Sequence, residues 1–328
     1  MTTSDLRSSV GLGLLVADSE LGGAAPGPSL GPQALITSAL ARGLERFGSV
    51  DAWCRAPHLR REHFARPSLD FMGEFADYVG ELCARHAEAL DRSQRTLLLS
   101  GDHSNAIGWV AGAREAMPDA RIGLVWIDAH GDIHSPWTSP SGNLHGLPVA
   151  AMLGLDHVHM ATREPSAVEH LAWEELKHLG PGRICPKLRP EDVFYVDIRD
   201  LEPEEWRVLE ERSIPHLTAR DFDTRGVERV IDEVTAYFAE YDALYVSFDV
   251  DSVDPQFIQG TGTPVPGGMT LEDAALLLGA LVAHPAWTTL EITEINPLQD
   301  TRNQTAERLT DVLVELWGTL ARGPRTSS

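Results

Sequence analysis

Six short runs of apolar and β-branched residues, each ending abruptly in polar ones, constrain this chain more than any other feature. They cover residues 10–16, 96–99, 122–127, 193–196, 244–248 and 290–293. A run that is apolar at consecutive positions describes a strand buried on both faces, the situation of a parallel sheet. Between the runs lie helical patterns. Phe71, Phe75, Tyr78, Val79, Leu82, His86 and Leu90 recur at three- and four-residue steps, as do Leu309, Val312, Leu313, Leu316, Trp317 and Leu320. Cys83 and His86 fall on or beside the first apolar face, where packing is expected rather than ligation. Strands alternating with helices require right-handed crossovers and place helices on both faces of one sheet. The expectation is an α/β fold with one domain over residues 1–328, surface loops at 22–32 and 56–67, and a disordered tail at 322–328.

The formal net charge of −22 argues against nucleic acid or an anionic membrane surface as a partner, since both recruit lysine and arginine. It suits a cationic small molecule. The polar start (Thr2, Thr3, Ser4, Asp5) lacks a basic region followed by an apolar core, and no apolar run reaches membrane-spanning length. Cys54, Cys83 and Cys185 form neither a CxxC pair nor a zinc-finger spacing, which fits a reduced, cytoplasmic protein.

In open α/β sheets, ligands gather at the carboxyl ends of the strands. Three of the runs are followed there by metal-ligand residue types: Ser100-Gly101-Asp102-His103-Ser104, Asp128-Ala129-His130-Gly131-Asp132 and Asp249-Val250-Asp251. Alternation along an extended chain sends every second residue to one side, so Asp128, His130 and Asp132 converge if the chain stays extended past the strand, and Asp249 with Asp251 repeats the device. Any one of these acids alone could cap a helix. Together, His103, Asp128, His130, Asp132, Asp249 and Asp251 make a mixed nitrogen and oxygen donor set that suits two divalent manganese ions and tolerates cobalt, iron or zinc. Four carboxylates so close together need the four positive charges that two such ions carry.

These segments, with Asp254-Pro255, Gly260-Thr261-Gly262-Thr263-Pro264 and Glu294-Ile295-Asn296-Pro297, resemble the signatures of the ureohydrolase superfamily, which contains arginases, agmatinases and other guanidino-group hydrolases. The resemblance runs from about residue 96 to residue 317. Ser100 stands where the family usually has glycine and is expected to matter only for local backbone freedom. The resemblance implies a three-layer α/β/α sandwich around a central, mostly parallel sheet of about eight strands. It implies that one ion takes His103, Asp128, Asp132 and Asp249, and the other Asp128, His130, Asp249 and Asp251. It further implies attack on the guanidino carbon by a hydroxide bridging the ions, Asp132 passing a proton to the departing amine, His145 shuttling protons, and Glu294 pairing with the guanidinium beside Thr263. A homo-oligomer, trimer or hexamer, belongs to the same resemblance.

At the far end of the substrate, Ser141-Gly142-Asn143-Leu144-His145-Gly146 resembles the arginase loop that holds an α-carboxylate, with Ser141 and Asn143 as donors. Arg199-Asp200-Leu201-Glu202-Pro203-Glu204-Glu205 resembles the loop whose two acids meet the α-ammonium. Glu202 departs from the usual aspartate there, Glu205 matches, and His134 stands in place of an asparagine that contacts the carboxylate. The expected reaction is hydrolysis of L-arginine to L-ornithine and urea. Agmatine, guanidinobutyrate or another guanidino compound is the alternative substrate, and an amino-acid-binding protein without turnover is the reading from a different class.

Overall fold

A computed structural model describes residues 11–57 and 63–322. Eight strands occur among them: Leu12–Asp18 (β1), Ala52–Arg55 (β2), Arg95–Ser100 (β3), Ile122–Ile127 (β4), Val193–Ile198 (β5), His216–Thr218 (β6), Ala243–Asp249 (β7) and Trp287–Thr293 (β8). They form one sheet in the order β2-β1-β3-β8-β7-β4-β5-β6, and every pair runs parallel. Ten α-helices accompany them: Gly31–Ala41 (α1), Met72–Ser93 (α2), Ala106–Ala116 (α3), Pro148–Leu153 (α4), Ala167–Lys177 (α5), Pro203–Arg212 (α6), Ala219–Arg225 (α7), Val227–Tyr237 (α8), Leu271–Val282 (α9) and Gln304–Arg322 (α10).

All six expected strands and both helical patterns are present. Val10, residues 58–62 of the expected second loop and residues 323–328 of the expected tail lie outside the described residues. The edge strands β2 and β6 are too short, at four and three residues, to show a period in the sequence. Arg322, the first residue of the expected tail, ends α10. Residues 22–32 are not a plain surface loop: Gly31 and Pro32 open α1, and Gly22 is pressed against Asp102 and Ser104.

Alternation along the strands sorts side chains into two apolar layers. Leu15, Leu98, Leu124, Trp126 and Tyr195 pack beneath α2, α3, α4 and α5, whereas Leu14, Val16, Leu97, Leu99, Val125, Val246 and Leu290 pack beneath α1, α8, α9 and α10. The result is the three-layer α/β/α sandwich. On the first face α2 and α3 approach closely because a Cβ at Gly108 would lie 2.7 Å from the Val79 carbonyl, and one at Gly112 would lie 2.5 Å from the Cys83 carbonyl.

A polar seam runs under the same face. His86 is fully buried and bonded to the Trp109 carbonyl at 2.6 Å and the Thr96 hydroxyl at 2.9 Å, so it packs as expected. Burial pushes its pKa down to about 4. Because the unfolded chain takes up this proton near pH 6.5 and the folded one only near 4, His86 stabilises the fold above pH 6.5 and loses that contribution as pH falls through this window. The linked loss is roughly 3 kcal/mol at the acid end. Urea melts of His86→Gln against the parent, run from pH 7 down to 4, are expected to show a shallower fall of stability in the variant; parallel curves would refute the assignment.

Candidate metal centre

Four adjacent strands, β3, β8, β7 and β4, end at the same rim, and each delivers site residues there. After β3, the chain turns through Gly101 and Asp102 into a short 3-10 turn, His103–Asn105, that leads directly into α3. After β7, Asp249 caps another 3-10 turn, Val250–Ser252, by accepting the Asp251 amide at 2.8 Å. Asp132 follows β4 with φ of 49°, and Glu294 follows β8 with φ of 64°. The convergence therefore comes from turns and left-handed residues, not from the extended chain expected from alternation. A non-glycine residue held there costs energy that surrounding contacts must outweigh, and such residues concentrate at functional sites.

His103 Nδ1 lies 3.1 Å from Asp128 Oδ2, 3.2 Å from Asp132 Oδ2 and 3.2 Å from Asp249 Oδ2. It is buried and makes no well-formed hydrogen bond to any of them. His130 Nδ1 lies 3.0 Å from Asp251 Oδ2 and 3.4 Å from Asp128 Oδ1. Two groups with ligand spacing result, His103 with Asp128 and Asp249, and His130 with Asp128 and Asp251; Asp128 belongs to both. Asp132 faces the first group through His103.

The electrostatics favour cations here. Burial first, and the Asp128 charge second, push Asp132 up to about 6. Burial, reinforced by Asp251 and Asp128, pushes Asp249 well above the usual carboxylate range. Burial opposes charge on His103, yet the adjoining carboxylates of Asp128, Asp132 and Asp249 together hold its pKa well up. Against burial, His103 and His130 hold Asp128 well below the ordinary range. A pocket that draws protons onto its own ligands is short of positive charge, and an unbonded imidazole nitrogen facing three carboxylate oxygens is a ready donor. The residues present fit divalent metal ions.

A cavity of about 270 Å³ opens beside this cluster. Its wall holds His130, Asp132, Asp249, Asp251, His145 and Glu294, and also His134, Ser141, Asn143, Glu202, Glu205 and Thr263. Only His103 and Asp128 among the expected site residues are not part of its lining; both are buried. Glu294 Oε1 accepts the His103 amide at 2.8 Å and lies 3.4 Å from His145 Nδ1. Burial disfavours charge on His145, but its hydrogen bond with Glu294 and the nearby carboxylates push its pKa up to about 9. The Thr263 hydroxyl donates to Asp251 Oδ2 at 2.9 Å, and Thr263 and Glu294 line the same cavity.

At the other end, His134 Nε2 lies 3.4 Å from Glu202 Oε2 and 3.9 Å from Glu205 Oε2, with Nδ1 held by the Thr138 hydroxyl at 3.0 Å. His134 holds the Glu202 carboxyl down at about 2. Burial, then the bond and charge of Glu202, push Glu205 well up. Ser141 Oγ accepts the Asn143 amide at 3.2 Å.

Sequence reasoning missed several supporting groups. Asp200 joins the cavity wall 3.9 Å from His130 Nε2. Asp102, fully buried, accepts the Gly22 amide at 3.2 Å, while the Gly22 carbonyl accepts the His145 amide at 3.1 Å. Burial and the neighbouring Glu294 push Asp102 up to about 7. Arg199 donates to Asp197 at 2.9 Å and to the Asp251 carbonyl at 2.7 Å. Ser100 does more than loosen the backbone: its hydroxyl donates to the buried Glu291 at 2.6 Å. For Asp102 the available signal was its place beside His103 in the sequence.

Comparison with known proteins agrees with this geometry. The model of the arginase family matches residues 13–318. An arginase from Bacillus caldovelox is 34% identical over 309 residues, covering 92% of this chain and 94% of that protein. Its crystal structure superposes with a TM-score of 0.80 at 31% identity, over 94% of this chain and 98% of that one. The structure of Entamoeba histolytica arginase in complex with L-ornithine superposes with a TM-score of 0.77 at 29% identity, over 94% of this chain and 98% of that one. With the family match spanning nearly all of the described residues, and with the expected strands, rim and ligand groups in place, this chain belongs to the arginase family.

Proposed function

We propose that this chain is an arginase, a hydrolase that adds water across a guanidino C–N bond of L-arginine to release urea and L-ornithine. The observation that carries the reading is a single cavity with an acidic, histidine-bearing metal cluster at one end and His134, Glu202 and Glu205 at the other. His103, Asp128, Asp132 and Asp249 would hold one ion, and Asp128, His130, Asp249 and Asp251 the other, with manganese favoured by the hard oxygen-rich set. Bound there, the pair supplies Lewis acidity that makes a water nucleophilic near neutral pH.

The chain's own residues do the rest. Glu294 meets the guanidinium by charge-assisted hydrogen bonds and fixes the carbon over the cluster. The departing nitrogen must gain a proton, and Asp132, a carboxyl on the cavity wall, delivers it in this reading. His145, half-buried and bonded to Glu294, exchanges protons between the cavity and solvent. Glu202 and Glu205 offer negative charge to the α-ammonium, while Ser141, Asn143 and His134 offer donors to the α-carboxylate. Thr263 holds Asp251 in place. Cytoplasmic residence and a trimeric or hexameric assembly belong to the same reading, the first supported by three cysteines without a disulfide. Among the described residues no helix is long and apolar enough to cross a membrane.

Urea release from L-arginine, agmatine and guanidinobutyrate, measured on metal-loaded protein, tests the assignment. L-Arginine is expected to exceed agmatine in kcat/KM by about tenfold or more, the factor that about 1.4 kcal/mol of contact with the carboxylate provides. Faster turnover of agmatine would overturn the arginase reading. A pure, metal-loaded sample releasing no urea from any of the three would favour a binding protein.

A further inference from the structure

The carboxylate of Glu291, three residues before Glu294, is not part of the wall of the cavity described above, and the reaction does not use it. It is fully buried in the middle of β8, between β3 and β7. Its hydrogen-bond partners among the described residues are three hydroxyls and no cation: Ser100 Oγ at 2.6 Å to Oε1, and Tyr245 OH at 2.8 Å and Ser247 Oγ at 3.0 Å to Oε2. Ser247 Oγ also lies 2.8 Å from His103 Nε2, and Ser100 Oγ accepts the Trp109 indole N–H at 2.9 Å. A buried acid in a sheet is costly unless it is fully bonded, so its presence calls for a reason.

Proton counting supplies one. A serine hydroxyl has a single proton. The Ser247 proton points at Glu291, so towards His103 this oxygen can only accept. Nε2 must then carry the ring's hydrogen, which leaves the Nδ1 lone pair free to face Asp128, Asp132 and Asp249. Ser100 behaves likewise, accepting from Trp109 and donating to Glu291. Every hydrogen bond in the chain from Trp109 and from His103 therefore runs toward the same carboxylate.

We infer that Glu291 is a positioning residue that, through Ser247 and with Ser100 as its second anchor, fixes the Nε2–H tautomer and ring orientation of His103 and so presets Nδ1 to receive a metal ion. The inference rests on the metal reading proposed above. A carboxylate that orients a ligating histidine is generally worth ten- to a hundredfold in metal affinity; here it acts at one remove, through a serine. Ser100 is part of this device, because without its hydroxyl Glu291 Oε1 loses its donor.

The amide of Glu291→Gln has nearly the same shape but can donate to Ser247. The serine proton is then free to turn to His103 Nε2, which favours the Nδ1–H tautomer and blocks the ligand nitrogen. Chelator competition on the full-length protein should show Glu291→Gln binding manganese about ten- to a hundredfold more weakly than the parent, with KM for the guanidino substrate unchanged. Ser247→Ala should weaken binding similarly. Adding Glu291→Gln to Ser247→Ala should cost little more, because the relay is already cut. Equal metal affinity in Glu291→Gln and the parent would overturn the inference, and so would an undiminished Glu291→Gln effect in the Ser247→Ala background. Should Glu291→Gln fail to fold, Ser100→Ala must show a smaller loss in the same direction, and parent-like affinity there would overturn it. A parent that binds no metal would instead refute the metal reading itself.

Discussion

Asp128→Asn protein, purified and offered excess manganese, is expected to retain fewer than two ions per subunit and to release urea roughly a thousandfold more slowly than the parent, since loss of a ligand shared by both ions removes Lewis acidity from each. The reasoning is local. Asp128 is fully buried, with Oδ2 3.1 Å from His103 Nδ1 and Oδ1 3.4 Å from His130 Nδ1, so its two oxygens serve different ligand groups. Trp126 Nε1 already donates to Oδ2 at 2.9 Å and the His130 amide to Oδ1 at 2.7 Å. An amide in this place presents an NH₂ to one of those donors and withdraws a negative charge from a cluster built to offset cations. Measuring metal per subunit by elemental analysis alongside turnover decides the matter. Two ions per subunit with parental turnover would show that the cluster is not the metal centre.

Glu294→Gln is expected to do the reverse, keeping both ions while kcat/KM for the guanidino substrate falls by about two to four orders of magnitude. That range corresponds to the roughly 3–5 kcal/mol lost when one partner of a buried charged hydrogen bond is neutralised. Glu294 is buried at the cavity wall, and only Oε1 is engaged by protein groups, the His103 amide and His145. Its other oxygen takes no hydrogen bond from the described residues and is free for a ligand. The same substitution takes from His145 the carboxylate bonded to it and leaves only the more distant Asp132 and Asp102, so the fall of activity with pH that belongs to that imidazole should move to lower values. Full turnover by the variant would mean that the guanidinium binds elsewhere.

Much of this was legible in the sequence because buried parallel strands announce themselves as unbroken apolar runs, and because ligand residues must stand where those runs stop. Ile122–Ile127 followed by Asp128, His130 and Asp132 is the clearest case. Two kinds of information were hidden. The edge strands His216–Thr218 and Ala52–Arg55 are too short to carry a period. Local conformation was the other: Asp132 and Glu294 reach the site through left-handed backbone, and nothing in an Ala-His-Gly-Asp or Ile-Thr-Glu string specifies φ above zero for an acid. Supporting residues were hidden for a related reason. Glu291, alone among apolar neighbours in β8, is conspicuous only once Ser100 and Tyr245 are seen beside it across two strand pairings.

The close approach of α2 to α3 at Gly108 and Gly112 gives this enzyme a mutational lever far from its chemistry. The turn that carries His103 runs straight into α3, so a displacement of α3 away from α2 is expected to carry that imidazole with it. A methyl group at Gly112, forced against the Cys83 carbonyl, would act as a wedge, and a shift of about 1 Å at a reacting centre can cost a hundredfold. A change at Gly112 is thus expected to be felt at His103 as well as in the packing of the two helices.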